Sequence, residues 1–447
     1  MASTYLSKTP SSAGNRKTFT FSTWIKRSNL SSAQTIFMGG QSDGNNNITV
    51  CQFQSADTLR FYSYSSAFSF QLITDRLFRD TSAWMHIVVA VDTTQATSSN
   101  RIKIYINGVQ ETSFSTETYP SQNFDTYINN NNLHTIGNYN AGTEYFDGSM
   151  THFHFVDGTA YDASTFGESD SVSSIWKPKI APSVTYGNNG FFLKFENSGA
   201  MGTDSSGQSN TFTVAGNLTQ NIDTPSNNFA TINPNQNNIA NLSNGNLTAT
   251  TSNYQWGMST LAVNSGKWYV EMKVTHACMI MGIQDIGKAN DRLTVNNPFW
   301  TSGSQSYHLD GFSRVTHDSY GDIANDASAY PTYGNGDIIM MAVNLTDNKL
   351  AYGKNGTWYN STNPGSGTTN MISIDAPSSN ENGNYGFVFG DTCGASDGTF
   401  NVNFGQGFFG TTAVASANAD ANGHGAMEYA VPSGYYTLNT KNIKEFG

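Results

Sequence analysis

The stretch NGDIIMMAVNLTDNKLAYGKNGTWY, residues 335–359, reads as strand, tight turn, strand and second turn. Ile338 to Leu345 is an apolar, β-favouring run. Thr346-Asp347-Asn348 has turn chemistry, and Leu350 to Lys354 pairs back along the first strand. Asn355-Gly356 then supplies the two positive-φ residues that a tight hairpin needs.

The composition around this hairpin agrees with it. A chain of 447 residues predicts two or three domains at roughly 150 residues each. Only 12% of residues are charged, about half the usual ~25%. Asn, Ser, Thr and Gly supply the polar surface instead, beside 22 Tyr and 28 Phe. Low charge with many aromatics argues against disorder, and the scarcity of Ala, Leu, Glu and Lys runs argues against helix. The net charge of −11 and a pI near 5.1 disfavour nucleic acid and anionic membrane as partners. Cys51, Cys278 and Cys393 are far apart and in no CxxC pair, so neither a zinc site nor a disulfide framework is expected. Met1 to Arg16 is polar, without the apolar core of a secretory signal, so synthesis in the cytoplasm is expected. No 18-residue apolar run occurs, so no membrane insertion is expected.

Working back toward the amino terminus, Thr18 to Arg27 alternates with the period of a strand. Strands follow at Gln34 to Gly39, Ile48 to Gln54, Thr58 to Tyr64 and Phe68 to Ile73. Trp84 to Asp92 is almost continuously apolar, as in a strand buried on both faces. Arg101 to Ile106 returns to Asn107-Gly108, Met150 to Val156 is a further strand, and Phe191 to Glu196 is a late edge strand. Such spacing predicts a sandwich or jelly roll. Thr224-Pro225-Ser226-Asn227-Asn228-Phe229 reads as the domain boundary. A second strand series then includes Gly245 to Ser252, Ser265 to Met272, Cys278 to Ile283, the opening hairpin, Asn384 to Asp391 and Thr399 to Gly410. The fold class expected is all-β: two antiparallel β-sandwich domains in tandem. They span residues 1–225 and 226–410, and 411–447 form a tail packing on or extending the second. Trp84, Ile87, Val89 and Val91 should be core in the first, and Ile339, Met341 and Val343 in the second.

Two resemblances sharpen this. The order Phe-x-Phe-x-x-Trp-x-Lys, Trp-x-His-Ile-Val-Val, Lys-Ile-Tyr-Ile-Asn-Gly and Phe-Asp-Gly resembles laminin-G-like, concanavalin-A-type jelly rolls over roughly residues 1 to 225. The hairpin, with Gly266-Lys267-Trp268-Tyr269-Val270-Glu271 before it and Val402-Asn403-Phe404-Gly405-Gln406 after it, resembles SPRY domains. It is more narrowly similar to the SPRY-type modules of bacteriophage virion proteins. The closing TLNTKNIKEFG looks like the endings of marine phage structural proteins.

Several residues invite a chemical reading. His152 and His154 flank Phe153 in a strand, and period two would place them on one face about 7 Å apart. No third ligand follows at useful spacing, so strand histidines are expected and no metal. Asp43-Gly44-Asn45-Asn46-Asn47 offers oxygen ligands but lacks spaced acids and a closing Glu, and reads as an Asn-rich turn. Glu168, Asp170, Glu196, Glu271 and Glu428 are the acids near strands. Sequence alone pairs none of them, and no Gly-x-Ser-x-Gly elbow occurs. No catalytic residue and no cofactor is therefore expected. Trp300, Tyr307, Tyr320, Tyr330 and Tyr333 fall in the long stretch from Asn296 to Asn335. The SPRY resemblance places such a loop at the binding end of the sandwich, so these rings are the expected ligand surface. The alternative is that they pin the loop to the sheet.

The resemblances imply a phage virion appendage protein: a tail fibre or receptor-binding module that recognises host surface glycan or protein. A capsid-bound head fibre or decoration protein is the alternative, and a polysaccharide depolymerase is a third reading. The expected partners are other virion proteins and further copies of the chain, most simply as a homotrimer.

Overall fold

The computed structural model describes residues 3–40, 47–140, 142–171, 173–239, 241–252, 254–288, 305–317, 321–326, 328–393 and 398–447. The chain folds as two units, Met1–Gln220 and Asn221–Gly447; the sequence places the division at 225/226. Both are almost entirely β. Among the described residues the single α-helix is Thr440–Phe446, capped by the Asn439 side chain accepting from the amide of Asn442.

In the first unit a larger sheet runs, in spatial order, Phe114–Thr118, Ala67–Leu77, Thr58–Ser65, Ile48–Phe53, Gln34–Gly40, Leu133–Ile136, Tyr5–Lys8 and Thr213–Ala215. A smaller sheet runs Phe191–Leu193, Gly148–Asp157, Thr18–Arg27, Met85–Asp92, Ile102–Ile106 and Val109–Gln110. Every pairing in both is antiparallel. The inner faces meet through rings: Phe21 lies 5.5 Å from Phe37, and Phe37 lies 5.4 Å from Phe153. Ile87, Val89 and Val91 join that core, and Trp84 is buried at the start of their strand.

The second unit packs a sheet containing Trp256–Val263, Tyr385–Asp391 and Met279–Asp285 against one containing Lys267–Val274, Ile338–Asn344 and Lys349–Lys354. The opening hairpin forms as expected, with Asn344 opposite Lys349. Asn355 and Gly356 take φ of 49° and 83°, the left-handed pair of a type I′ turn. The Asn355 carboxamide accepts from the Ile338 amide and donates to Asp337.

The continuous apolar run of the hairpin is explained by its two faces. Ile339, Met341 and Val343 point into the main core. Met340 and Ala342 point outward and are equally buried, beneath Met427 and Tyr435 of the tail. The tail is anchored through Glu271, which has no exposed surface. Its carboxylate accepts from the amides of Glu428 and Tyr429 and from the Tyr269 hydroxyl. Tyr436–Thr437 then adds a parallel pairing to Lys267–Val274.

Two expectations are corrected. Residues 296–335 are not one long loop: Ser306–Leu309, Arg314–His317 and Gly321–Asn325 extend a sheet as an antiparallel meander. Strands of only four or five residues, with polar members such as Ser306, His308, Arg314 and Asp322, concealed it. Cys278 and Cys393 form a disulfide across 115 positions, with their Cα atoms 5.5 Å apart. Met279 pairs with Asp391 in the ladder, and the two cysteines flank that pair; a proximity made by strand pairing leaves no spacing signal. Closing a loop of about a hundred residues contributes about 5 kcal/mol at most in the chain-entropy account.

Trp268 has no exposed surface, and its indole N–H donates to the Ser265 carbonyl. Trp268→Ala should cost about 3–5 kcal/mol in a urea melt of the second unit. Val109→Ala, at a position 66% exposed, should change stability by less than about 0.5 kcal/mol. A loss below about 1 kcal/mol for Trp268→Ala would place that ring outside the core.

Candidate functional site

Three of the five rings expected to face a ligand are described, and all three are buried. Tyr307, Tyr330 and Tyr333 are buried in the second core. The Tyr333 hydroxyl donates to the carbonyls of Met279 and Leu309. The Tyr307 hydroxyl accepts from the Asp375 amide, and its ring stacks on His317 at 4.2 Å. Tyr330 meets Tyr359 edge-on. These three pin the meander to the sheet and offer no platform to solvent. Trp300 and Tyr320 lie outside the described residues, as do residues 43–46 of the Asn-rich turn.

An aromatic platform does exist on the outer face of the larger sheet of the first unit. The strand Thr58–Ser65 alternates strictly: Leu59 and Phe61 enter the core, while Arg60, Tyr62 and Tyr64 point outward. The register sets Tyr62 beside Val50 and Tyr64 beside Ile48, and Val50 beside Met38 on the next strand. Met38, Ile48 and Val50 form a buried apolar floor. Phe68, 48% exposed, stands edge-on to Tyr64 at 5.1 Å and to Tyr62 at 5.8 Å. The Arg60 guanidinium lies 4.0 Å from the Tyr62 ring centre and 4.8 Å from that of Phe68, within cation–π range.

A loop closes the opposite side. Tyr139 and Thr143 bridge across it, and the Asn140 amide points at the Met38 sulfur. Tyr139 is hydrogen-bonded to Tyr62. Glu144 accepts from the Thr35 hydroxyl, and burial raises its carboxyl pKa against the pull of Thr35 and Arg60. The result is a half-exposed set of rings, Tyr64, Phe68 and Tyr139, with Arg60 and Glu144 at its margin. Such a surface suits a flat ligand with one apolar face and a hydroxylated edge. The pattern Arg-Phe-Tyr-Ser-Tyr, aromatic on both faces of one strand, was the available signal.

The histidines of the first unit are structural. A bulge shifts the register between Thr151 and His154, and His152 sits at φ 49°, so simple period two fails there. His154 is stacked 3.9 Å from Phe192, with Nδ1 2.8 Å from the Tyr186 hydroxyl. His86 lies against Trp24 at 4.8 Å. Trp176 Nε1 can only donate, and it reaches His86 Nδ1 at 3.0 Å. Nε2 therefore carries the proton and donates to the Ser22 hydroxyl at 2.8 Å. Trp176 approaches so closely that a Cβ on Gly167 would fall 2.5 Å from its ring. Burial pushes the His86 imidazole down to about 3 and His134 down to about 4, and holds His154 well below its ordinary value.

Of the five acids, Glu168 and Asp170 share Lys177, and Glu196 pairs with Lys194. Glu271 meets the Glu428 backbone, while the Glu428 carboxylate accepts from the Ala415 amide.

One family match falls within the first unit. The family described as the concanavalin A-like lectin/glucanases superfamily matches residues 2–163. The first unit has a concanavalin A-like jelly-roll fold. No curated protein sequence matches the chain. Among solved structures it is similar to the SPRY domain of human HERC1, at 13% identity and a TM-score of 0.29, covering 38% of this chain and 96% of that one. It is also similar to domain 4 of AbnA, a GH43 extracellular arabinanase from Geobacillus stearothermophilus solved with arabinotriose. There the identity is 22% and the TM-score 0.25, over 33% of this chain and 64% of that one. A putative carbohydrate binding protein from Bacteroides ovatus is similar at 15% identity and a TM-score of 0.28, over 48% of this chain and 58% of that one.

The buried histidines of the jelly roll predict acid sensitivity. Their folded pKa values lie below the unfolded value near 6.5, so their contribution is complete above that pH and is lost as pH falls toward 3–4. The slope is roughly 1.4 kcal/mol per pH unit for each such histidine. The melting temperature of the first unit should drop steeply from pH 7 to pH 5, and His154→Phe should flatten that drop. A melting temperature independent of pH over this range would show that the rings are hydrated.

Proposed function

We propose that this chain is a non-catalytic binding protein of a bacteriophage virion appendage, and that its jelly roll recognises host-surface glycan. The observation that carries the reading is the half-exposed set Tyr64, Phe68 and Tyr139 beside Arg60 on the outer face of the larger sheet. Aromatic faces stack on the apolar faces of sugar rings, and the neighbouring Arg and Glu supply hydrogen bonds to hydroxyls. The match to a lectin/glucanase superfamily supports a saccharide over a peptide. The virion setting rests on the phage-like hairpin and carboxy-terminal motifs. A single shallow platform binds weakly, and linked copies raise avidity by about 10²–10⁴, so assembly as a homotrimer or on another virion protein completes the proposal.

The test is attachment of purified protein to host cells and to an array of their surface glycans. Tyr64→Ala with Phe68→Ala should reduce attachment at least tenfold while the melting temperature changes little, because both rings are partly solvent-facing. Tyr333→Ala should lower the melting temperature first. Undiminished attachment by the double variant would move the site off this face. Release of reducing sugar from the glycan would replace the adhesin by a depolymerase.

A further inference from the structure

The disulfide of the second unit has a third neighbour. His276, Cys278 and Cys393 bring one imidazole nitrogen and two sulfurs within 4.8 Å of one another. Cys278 is buried, while His276 and Cys393 are half-exposed, so among the described residues the cluster opens to solvent on one side. Hydrogen bonds that do not involve sulfur hold the backbone at both cysteines. The Cys278 carbonyl accepts from the amide and hydroxyl of Thr392. The Cys393 amide donates to Asp391 at 2.7 Å, and the Cys278 amide donates to His276 Nδ1 at 3.1 Å. The flanking ladder pairs Met279 with Asp391 directly. Reduction of the sulfur–sulfur bond therefore leaves two thiols and an imidazole converging from a backbone that other bonds keep together.

We propose that the reduced chain binds one zinc-class divalent ion at His276, Cys278 and Cys393, and that disulfide formation and metal binding are alternative states of this cluster. Two thiolates and an imidazole are the soft and borderline ligands that zinc prefers. Donors around a tetrahedral zinc lie roughly 3.3–3.8 Å apart, a spacing reached from the present one by side-chain torsions. His276 gives up the Cys278 amide on ligation, and water from the open side fills the fourth position. Binding releases one proton from each thiol. Conversely, a low-molecular-weight disulfide such as oxidised glutathione takes two electrons from the bound thiolates. The protein disulfide forms, two glutathione thiolates leave, and the ion is freed. Cys51 does not compete: it is fully enclosed in the first core, where burial raises its thiol pKa.

The experiment uses the full chain, reduced with a phosphine and exchanged without oxygen, with cobalt(II) as the probe. One equivalent should give the visible bands of tetrahedral cobalt and a near-ultraviolet thiolate charge-transfer band, and zinc(II) should bleach both. The oxidised chain should give neither, which tests the site without any substitution. Cys393→Ser should abolish the charge-transfer band or weaken it by half or more, His276→Ala should weaken binding at least tenfold, and Cys51→Ser should change nothing. A reduced, folded chain without cobalt bands would overturn the proposal. So would bands lost with Cys51→Ser, or unfolding of the second unit on reduction, since no preformed ligand set would then exist.

Discussion

Central strands that are apolar on both faces impose the main constraint on this protein. A two-sheet sandwich buries one face of each strand; Ile338–Asn344 and Met85–Asp92 have two to bury. Each unit therefore covers the outside of its own sheet with chain from beyond the sandwich strands. In the second unit the tail brings Met427 and Tyr435 over Met340 and Ala342. In the first, Phe166, Trp176 and Tyr186 cover Val88 and Val156. At about 25 cal/mol per Å² of apolar surface removed from water, an uncovered second face would be both a stability loss and an aggregation hazard.

Covering a sheet traps whatever polar groups lie on it, and each of the two that matter most is provided with fixed partners. His86 is held between a donor at Nδ1 and an acceptor beyond Nε2, which selects one neutral tautomer. Glu271 takes the opposite role. Its oxygens accept from two tail amides and a tyrosine hydroxyl, while burial, the largest influence, pushes its pKa up to about 7. The pH consequences have opposite signs. The neutral histidines stabilise above about pH 6.5 and lose their effect in acid. A carboxyl raised above its unfolded value near 4.5 contributes fully below that pH, and its contribution is lost as pH rises through 7. The cover of each sandwich is thus tied to protonation through one or two buried groups.

The outer face of the larger sheet in the first unit has a different finish. Among the described residues, Tyr139 and Glu144 reach only part of it, and Tyr64 and Phe68 remain in contact with solvent over a buried floor. Incomplete cover over an aromatic surface is the property a recognition surface needs, because ring faces must stay available while their backbone is held rigid by the sheet. The rings of the meander in the second unit lack that property. They are enclosed in the core, and the hydroxyls of Tyr333 and Tyr307 are tied to backbone carbonyls and an amide.

Sequence by itself determined the all-β class, the hairpin and the inward rows. Ile87, Val89 and Val91, and Ile339, Met341 and Val343, are core because period two and hydrophobicity act locally. The type I′ turn at Asn355-Gly356 is equally local, since left-handed backbone belongs to those two residue types. Only the tertiary structure decided what covers the outer faces, which aromatic rings stay exposed, and that Cys278 lies beside Cys393. Tyr64 and Tyr333 are the same side chain in similar polar surroundings along the chain. Tyr64 faces solvent between its near neighbours Ile48 and Phe68, whereas Tyr333 is drawn into the core by the carbonyls of Met279 and Leu309, which lie 54 and 24 positions away along the chain. The disulfide spans 115 positions, and such proximity follows from ladder register between remote strands, a long-range property that no local pattern encodes.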